Sequence, residues 1–126
     1  QSVIISIQAK KVSKNSWEAY KNFGRDKTNI DVMDWIKKIR NYNFGELLLT
    51  SIDADGISNG FDVDLYEKAS NNIDIPIIAC GGFGKLEHIK ELKKYAKIDA
   101  VAISKALHYK KITIKEIKDY LKKIYE

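Results

Sequence analysis

Short β-branched apolar runs alternate with helically spaced apolar positions four times along this chain. Val3 to Ile7 reads as a strand. Ile30, Met33, Ile36 and Ile39 then recur every three residues, as on one helix face, with Asn29 or Asp31 as its cap. A second strand covers Leu47 to Ile52. A polar loop from Asp53 to Gly60 follows, then a helix from Asp62 to Asn71 with Asp62 and Asp64 at its positive end. The third strand is Ile75 to Cys80, its proline at the start, where a missing N–H is tolerated. Gly81-Gly82-Phe83-Gly84 makes the turn, and Leu86, Ile89, Leu92 and Tyr95 mark the helix. The fourth strand is Asp99 to Ile103. After a loop, a helix runs from Thr113 to about Ile124, with Thr113 and Glu116 at capping-box spacing.

Strands this short and apolar suit a parallel sheet, and their alternation with helices predicts an α/β fold. The connections read as too long for hairpins. The segment Gln8–Asn29 is a long loop, a length that points to function or mobility. Four strand–helix units fit either an open parallel sheet or half of an eight-unit barrel.

Ligands in α/β folds sit beyond the C-terminal strand ends, so the residues that follow each strand carry the candidate chemistry. The glycine turn is either a plain tight turn or a backbone cradle for an anion at a helix start. Ser104 and Lys105 either complete that cradle or are a turn serine and a surface lysine. Of Asp53 and Asp55, one can serve proton transfer while the other braces the loop; the alternative is an Asx-type turn. Gln8 stands beside Lys10 and can orient a substrate but not act as a base. Cys80 reads as core packing, His88 as a surface or helix-face residue, and His108 as a ligand contact or turn cap. Trp17 and Trp35 read as packing or interface residues.

The 126 residues fit one domain. An apolar fraction of 44% with 31% charged residues excludes a collagen or a disordered tail. The net charge of +5 comes mostly from lysines spaced as on solvated helix faces, not from a basic stripe with interleaved aromatics, so nucleic acid is not an expected partner. No apolar run approaches ~18 residues, so no membrane span is expected. One cysteine allows neither an internal disulfide nor a multi-cysteine metal site and suits a reducing cytoplasm. No metal or organic cofactor is expected. The start Gln1-Ser2-Val3-Ile4-Ile5 lacks the pattern of a signal peptide, and an opening on Gln suggests a start inside a larger gene product.

Two long stretches carry a resemblance. Glu46-Leu47-Leu48-Leu49-Thr50-Ser51-Ile52-Asp53-Ala54-Asp55-Gly56 with Gly60-Phe61-Asp62 is the first. Ile75-Pro76-Ile77-Ile78-Ala79-Cys80-Gly81-Gly82-Phe83-Gly84 with Leu86-Glu87-His88 is the second, and Ile112 to Lys118 fits too. They resemble the cyclase subunit of imidazole glycerol phosphate synthase. The resemblance covers essentially residues 1–126 and implies the C-terminal half of a (βα)8 TIM barrel, strands five to eight. It implies a reaction in which ammonia from a partner glutaminase meets a phosphorylated ribonucleotide. The products are imidazole glycerol phosphate and aminoimidazole carboxamide ribonucleotide. The glutaminase is expected on the N-terminal face of the strands.

By motif, Asp55 matches a carboxylate that helps the chemistry. Lys10, Gly56, Cys80, Gly81, Gly82, Gly84, Ser104 and Lys105 fall in the substrate and phosphate region. The fifth-strand catalytic aspartate of the family falls on Gln8, within Ser6-Ile7-Gln8-Ala9-Lys10-Lys11. Phe23, Ile57 and Lys105 also depart from the family pattern. Gln8, Ile57 and Cys80 favour a paralogue that uses ammonia to form an acetamidino group on a bacterial surface sugar. A non-catalytic ammonia-channel partner is the third reading. A half barrel is expected to pair with a missing N-terminal half or with itself.

Overall fold

A computed structural model of the chain describes residues 3–126. Gln1 and Ser2, with which the signal-peptide reading begins, lie outside the described residues. One six-stranded sheet runs in the order β3-β2-β1-β4-β5-β6. Strands β1 (Ile4–Ser13), β4 (Glu46–Ser51), β5 (Ile77–Cys80) and β6 (Ala100–Ala102) are mutually parallel. Helices α1 (Val32–Ile39), α2 (Val63–Ser70), α3 (Leu86–Tyr95) and α5 (Ile114–Ile124) complete the four expected strand–helix units. The fold is the α/β, half-(βα)8 arrangement, with an added hairpin.

That hairpin corrects the sequence reading of residues 8–29. β1 does not end at Ile7 but continues through half-buried Gln8, buried Ala9 and the exposed residues from Lys10 to Ser13. It pairs antiparallel with β2 (Ser16–Lys21), which pairs antiparallel with β3 (Asp26–Asp31). Ser13 faces Ser16, so Lys14 and Asn15 alone make the turn, and Asn15 takes the left-handed backbone that asparagine tolerates. Trp17 and Ala19 alternate inward and anchor β2 to the core. Ile30, expected on the first helix, lies in β3, because the helix begins only after Asp31, whose carboxylate accepts the Asp34 N–H at 3.0 Å.

The other starts follow side-chain chemistry. Asp62 caps α2 through the Leu65 N–H at 3.3 Å. Thr113 and Glu116 form the reciprocal capping box of α5. A one-turn helix, α4 (Lys105–His108), occupies what reads as loop.

The core lies on one face of the sheet. Ile7, Ala9, Leu47, Leu49, Ser51, Ile77 and Ala79 point to the helices and are buried. Their neighbours Ile4, Ser6, Gln8, Leu48, Thr50, Ile78 and Cys80 point the other way and are exposed or half-buried. The register aligns Gln8, Thr50, Cys80 and Ala102 in one row across that uncovered face. Cys80 is therefore not a core residue. No helix among the described residues is long and apolar enough to cross a membrane.

Candidate functional site

Three loops meet beyond the C-terminal ends of β4, β5 and β6. They enclose a concavity of about 110 Å³. Asp55, Gly56 and Ser58 line it from the loop after β4, and Cys80, Gly81, Gly82 and Phe83 from β5 and its turn. Ala102, Ile103, Ser104 and Lys105 line it from β6 and α4. Its volume suits a phosphoryl-sized group rather than a whole nucleotide. A larger cleft of about 750 Å³ lies between α3 and α5, lined by side chains such as Lys90, Tyr95 and Lys123, away from the strand ends.

The loop after β4 is tied down at its base. The Ser51 carbonyl accepts the Asp55 N–H at 3.0 Å, and the Ser51 hydroxyl accepts the Ala54 N–H at 3.2 Å. Asp53 turns away to accept the Lys11 N–H at 2.7 Å, which braces the hairpin. Asp55 is left exposed at the concavity. The two carboxylates part because the strand ends at Ser51 and the loop turns them to different partners.

The glycine turn is packed, not open. Gly81 and Gly82 are buried with φ of 94° and 111°. A Cβ on Gly82 would lie 2.1 Å from the Gly60 carbonyl oxygen, and one on Gly84 would lie 2.0 Å from that of Ser58. Glycine is required here because two loops touch backbone to backbone. The Gly60 N–H donates to the Gly82 carbonyl at 2.8 Å across that contact.

Lys105 reaches back to donate to the Gly56 carbonyl, which joins the third loop to the first. Ser104 precedes α4, but its hydroxyl does not cap it. Gln8, Lys10 and Gly84 do not line the concavity. The Gln8 Oε1 is buried without a hydrogen-bond partner and lies 3.1 Å from where a Cβ on Gly24 would stand. The Lys10 ammonium sits 5.5 Å from the centre of the Tyr20 ring, on the hairpin. Gly84 gives its N–H to the His88 ring at 3.1 Å. Among the described residues no cluster of three His, Cys, Asp or Glu is placed to hold a metal ion.

Two supporting side chains escaped the sequence reading. His88 is 9% exposed, packed under the glycine turn rather than on the surface. Its position three residues after Lys85, the N-cap of α3, is the signal that could have found it. Burial and the adjacent Lys85 hold its pKa below the ordinary histidine value, against an opposing pull from Glu91 and Glu87. Tyr66 on α2 inserts its hydroxyl between β4 and β5. It shares its one proton between the carbonyls of Cys80 (2.7 Å) and Leu49 (3.0 Å), and it accepts the Cys80 N–H at 3.2 Å. Burial pushes the phenol above its ordinary pKa, so it stays a donor.

The profile of the family described as histidine biosynthesis protein matches residues 1–113. The imidazole glycerol phosphate synthase subunit HisF of Prochlorococcus marinus (strain AS9601) is 46% identical over 123 residues, covering 96% of this chain and 48% of the relative. That of Clostridium botulinum (strain 657 / Type Ba4) is 40% identical over 124 residues, covering 98% and 49%. That of Hydrogenobaculum sp. (strain Y04AAS1) is 41% identical over 122 residues, covering 97% and 48%. The chain spans about half the length of the curated relatives it matches. With its half-barrel fold, it belongs to the histidine biosynthesis protein family.

Proposed function

We propose that this chain is the C-terminal half of a (βα)8 cyclase, with β1, β4, β5 and β6 as strands five to eight. The sheet edges support that placement. Ile4–Ile7 pair with β4 only, because β2 joins β1 from Gln8 onward, and β6 pairs with β5 only. Both free edges offer unpaired backbone of the kind barrel closure consumes.

The reaction we assign is ring closure with ammonia delivered by a partner glutaminase, yielding imidazole glycerol phosphate and aminoimidazole carboxamide ribonucleotide. The observation that carries it is the three-loop concavity, which unites a carboxylate, a buried glycine turn, a hydroxyl and an ammonium. In this reading Lys105, Ser104 and the turn at Gly81 and Gly82 hold the substrate phosphate, and Asp55 gives or takes a proton beside it. A phosphorylated substrate and one free cysteine suit the cytoplasm.

Gln8 favours a second reading. A neutral amide donates and accepts hydrogen bonds but does not exchange a proton at physiological pH. An ammonia-using relative that amidinates a surface sugar needs a different acid–base set. Complementation of a histidine auxotroph lacking its cyclase subunit separates the two. We expect the complete gene carrying this sequence to restore growth. Growth with Gln8→Asp alone supports the sugar reading, and growth with neither variant refutes the histidine reading. In the purified enzyme Asp55→Asn is expected to cut turnover ~100-fold, the ordinary contribution of a general acid or base.

A further inference from the structure

We propose that His88 is a positioning residue, whose unprotonated Nδ1 clamps the glycine turn onto the Ser58–Gly60 segment and so sets the shape of the concavity. The inference rests on the phosphate reading above for its functional consequence, but its geometry stands apart from that reading.

Nδ1 accepts two backbone donors, the Gly84 N–H at 3.1 Å and the Lys85 N–H at 3.3 Å. An imidazole nitrogen that accepts carries no proton, so the ring is the neutral Nε2–H tautomer. Its other edge faces Gly60 in the loop after β4. A Cβ built on Gly60 would stand 3.6 Å from Cδ2 and 3.7 Å from Nε2, which is contact distance. One ring thus holds the glycine turn by two hydrogen bonds and faces Gly60 across the space a Cβ there would fill, next to the bond between the Gly60 N–H and the Gly82 carbonyl.

Two consequences follow for the chemistry. The Gly84 and Lys85 N–H groups, just ahead of α3, are turned inward to His88 and hold the turn. A ligand in the concavity meets the walls given by Gly81, Gly82, Ser104 and Lys105. A side chain that cannot accept at this point leaves the Gly84 and Lys85 donors without a partner and lets the turn relax. The ring acts through the turn and does not line the concavity itself.

The test uses the complete gene product containing this chain, labelled with 15N-histidine and 15N-glycine. The ring resonances of His88 report its tautomer without any ligand. We expect the neutral Nε2–H form at neutral pH; an Nδ1–H form or a cation overturns the proposal. Inorganic phosphate is then titrated against the amide shifts of Gly81 and Gly82. His88→Leu is expected to weaken phosphate binding about tenfold, the worth of one to two hydrogen bonds. His88→Asn, whose amide oxygen can accept, is expected to recover most of that loss. Unchanged phosphate affinity in a folded His88→Leu protein overturns the proposal. If His88→Leu does not fold, the tautomer and the Asn variant still decide. If the wild type shows the expected tautomer but binds no phosphate, the phosphate reading fails and the clamp stands.

Discussion

Tyr66 places a single hydroxyl among three backbone groups at the point where β4 and β5 end and the site begins. Phenylalanine would fill the same space and leave the Cys80 N–H and a carbonyl facing a void in a fully buried setting. Each unpaired buried group costs about 1–3 kcal/mol, so Tyr66→Phe is expected to lower unfolding free energy by about 2 kcal/mol in urea titrations. A change under about 0.5 kcal/mol would show that water enters and restores the bonds. Residues of this kind are hard to read in a sequence. Tyr66 sits among Leu65 and Ala69, where a core aromatic is unremarkable, and His88 sits among lysines and glutamates, where a surface residue is the natural reading. Their roles depend on groups brought from other segments. The Thr113 cap was legible, and Asp31 as one of two candidates, because a cap reaches only two or three residues along its own chain; Asp62 read only as a charge at the helix start.

At the scale of elements, the strand–helix units were legible and the hairpin was not. Periodicity reports a strand only when one face is apolar, and Lys10 to Ser13 of β1 are all exposed polar or isolated residues. What fixes the hairpin is a distant contact. The Trp17 indole N–H donates to Asp62 Oδ2 at 2.8 Å, while Asp62 Oδ1 caps α2. One carboxylate thus serves both an element start and a junction between elements. Asp62→Ala removes the cap, worth about 1 kcal/mol, and leaves a buried indole N–H unpaired, worth a further 1–2 kcal/mol or so. We expect a total loss of about 2–3 kcal/mol by denaturant titration, against about 1 kcal/mol for Thr113→Ala, where only a cap is lost. Equal losses for the two variants would mean that the hairpin is held by Trp17 packing alone.

At the scale of the whole molecule, the chain covers one face of its sheet and leaves the other to something else. The strand runs read in the sequence as buried on both faces, because apolar residues continue through both phases of the pleat. The helices of this chain reach only one phase. Leu49 is fully buried under them, while its neighbour Leu48 is half-buried on the uncovered face with Ile78. Ile4 and Val3, at the free edge of β1, are 52% and 57% exposed. An apolar face beside two open strand edges favours association in water. The 126-residue chain expressed alone is therefore expected to sediment as a dimer or larger species. Leu48→Glu should shift it toward monomer without loss of helical circular dichroism, because a charge there meets water or a partner. Leu49→Glu should unfold it, because an unpaired carboxylate there has no solvent and no counter-charge. A wild-type monomer at tens of micromolar that binds no hydrophobic dye would mean that the uncovered face needs no partner, and the half-barrel assignment would lose its main physical support.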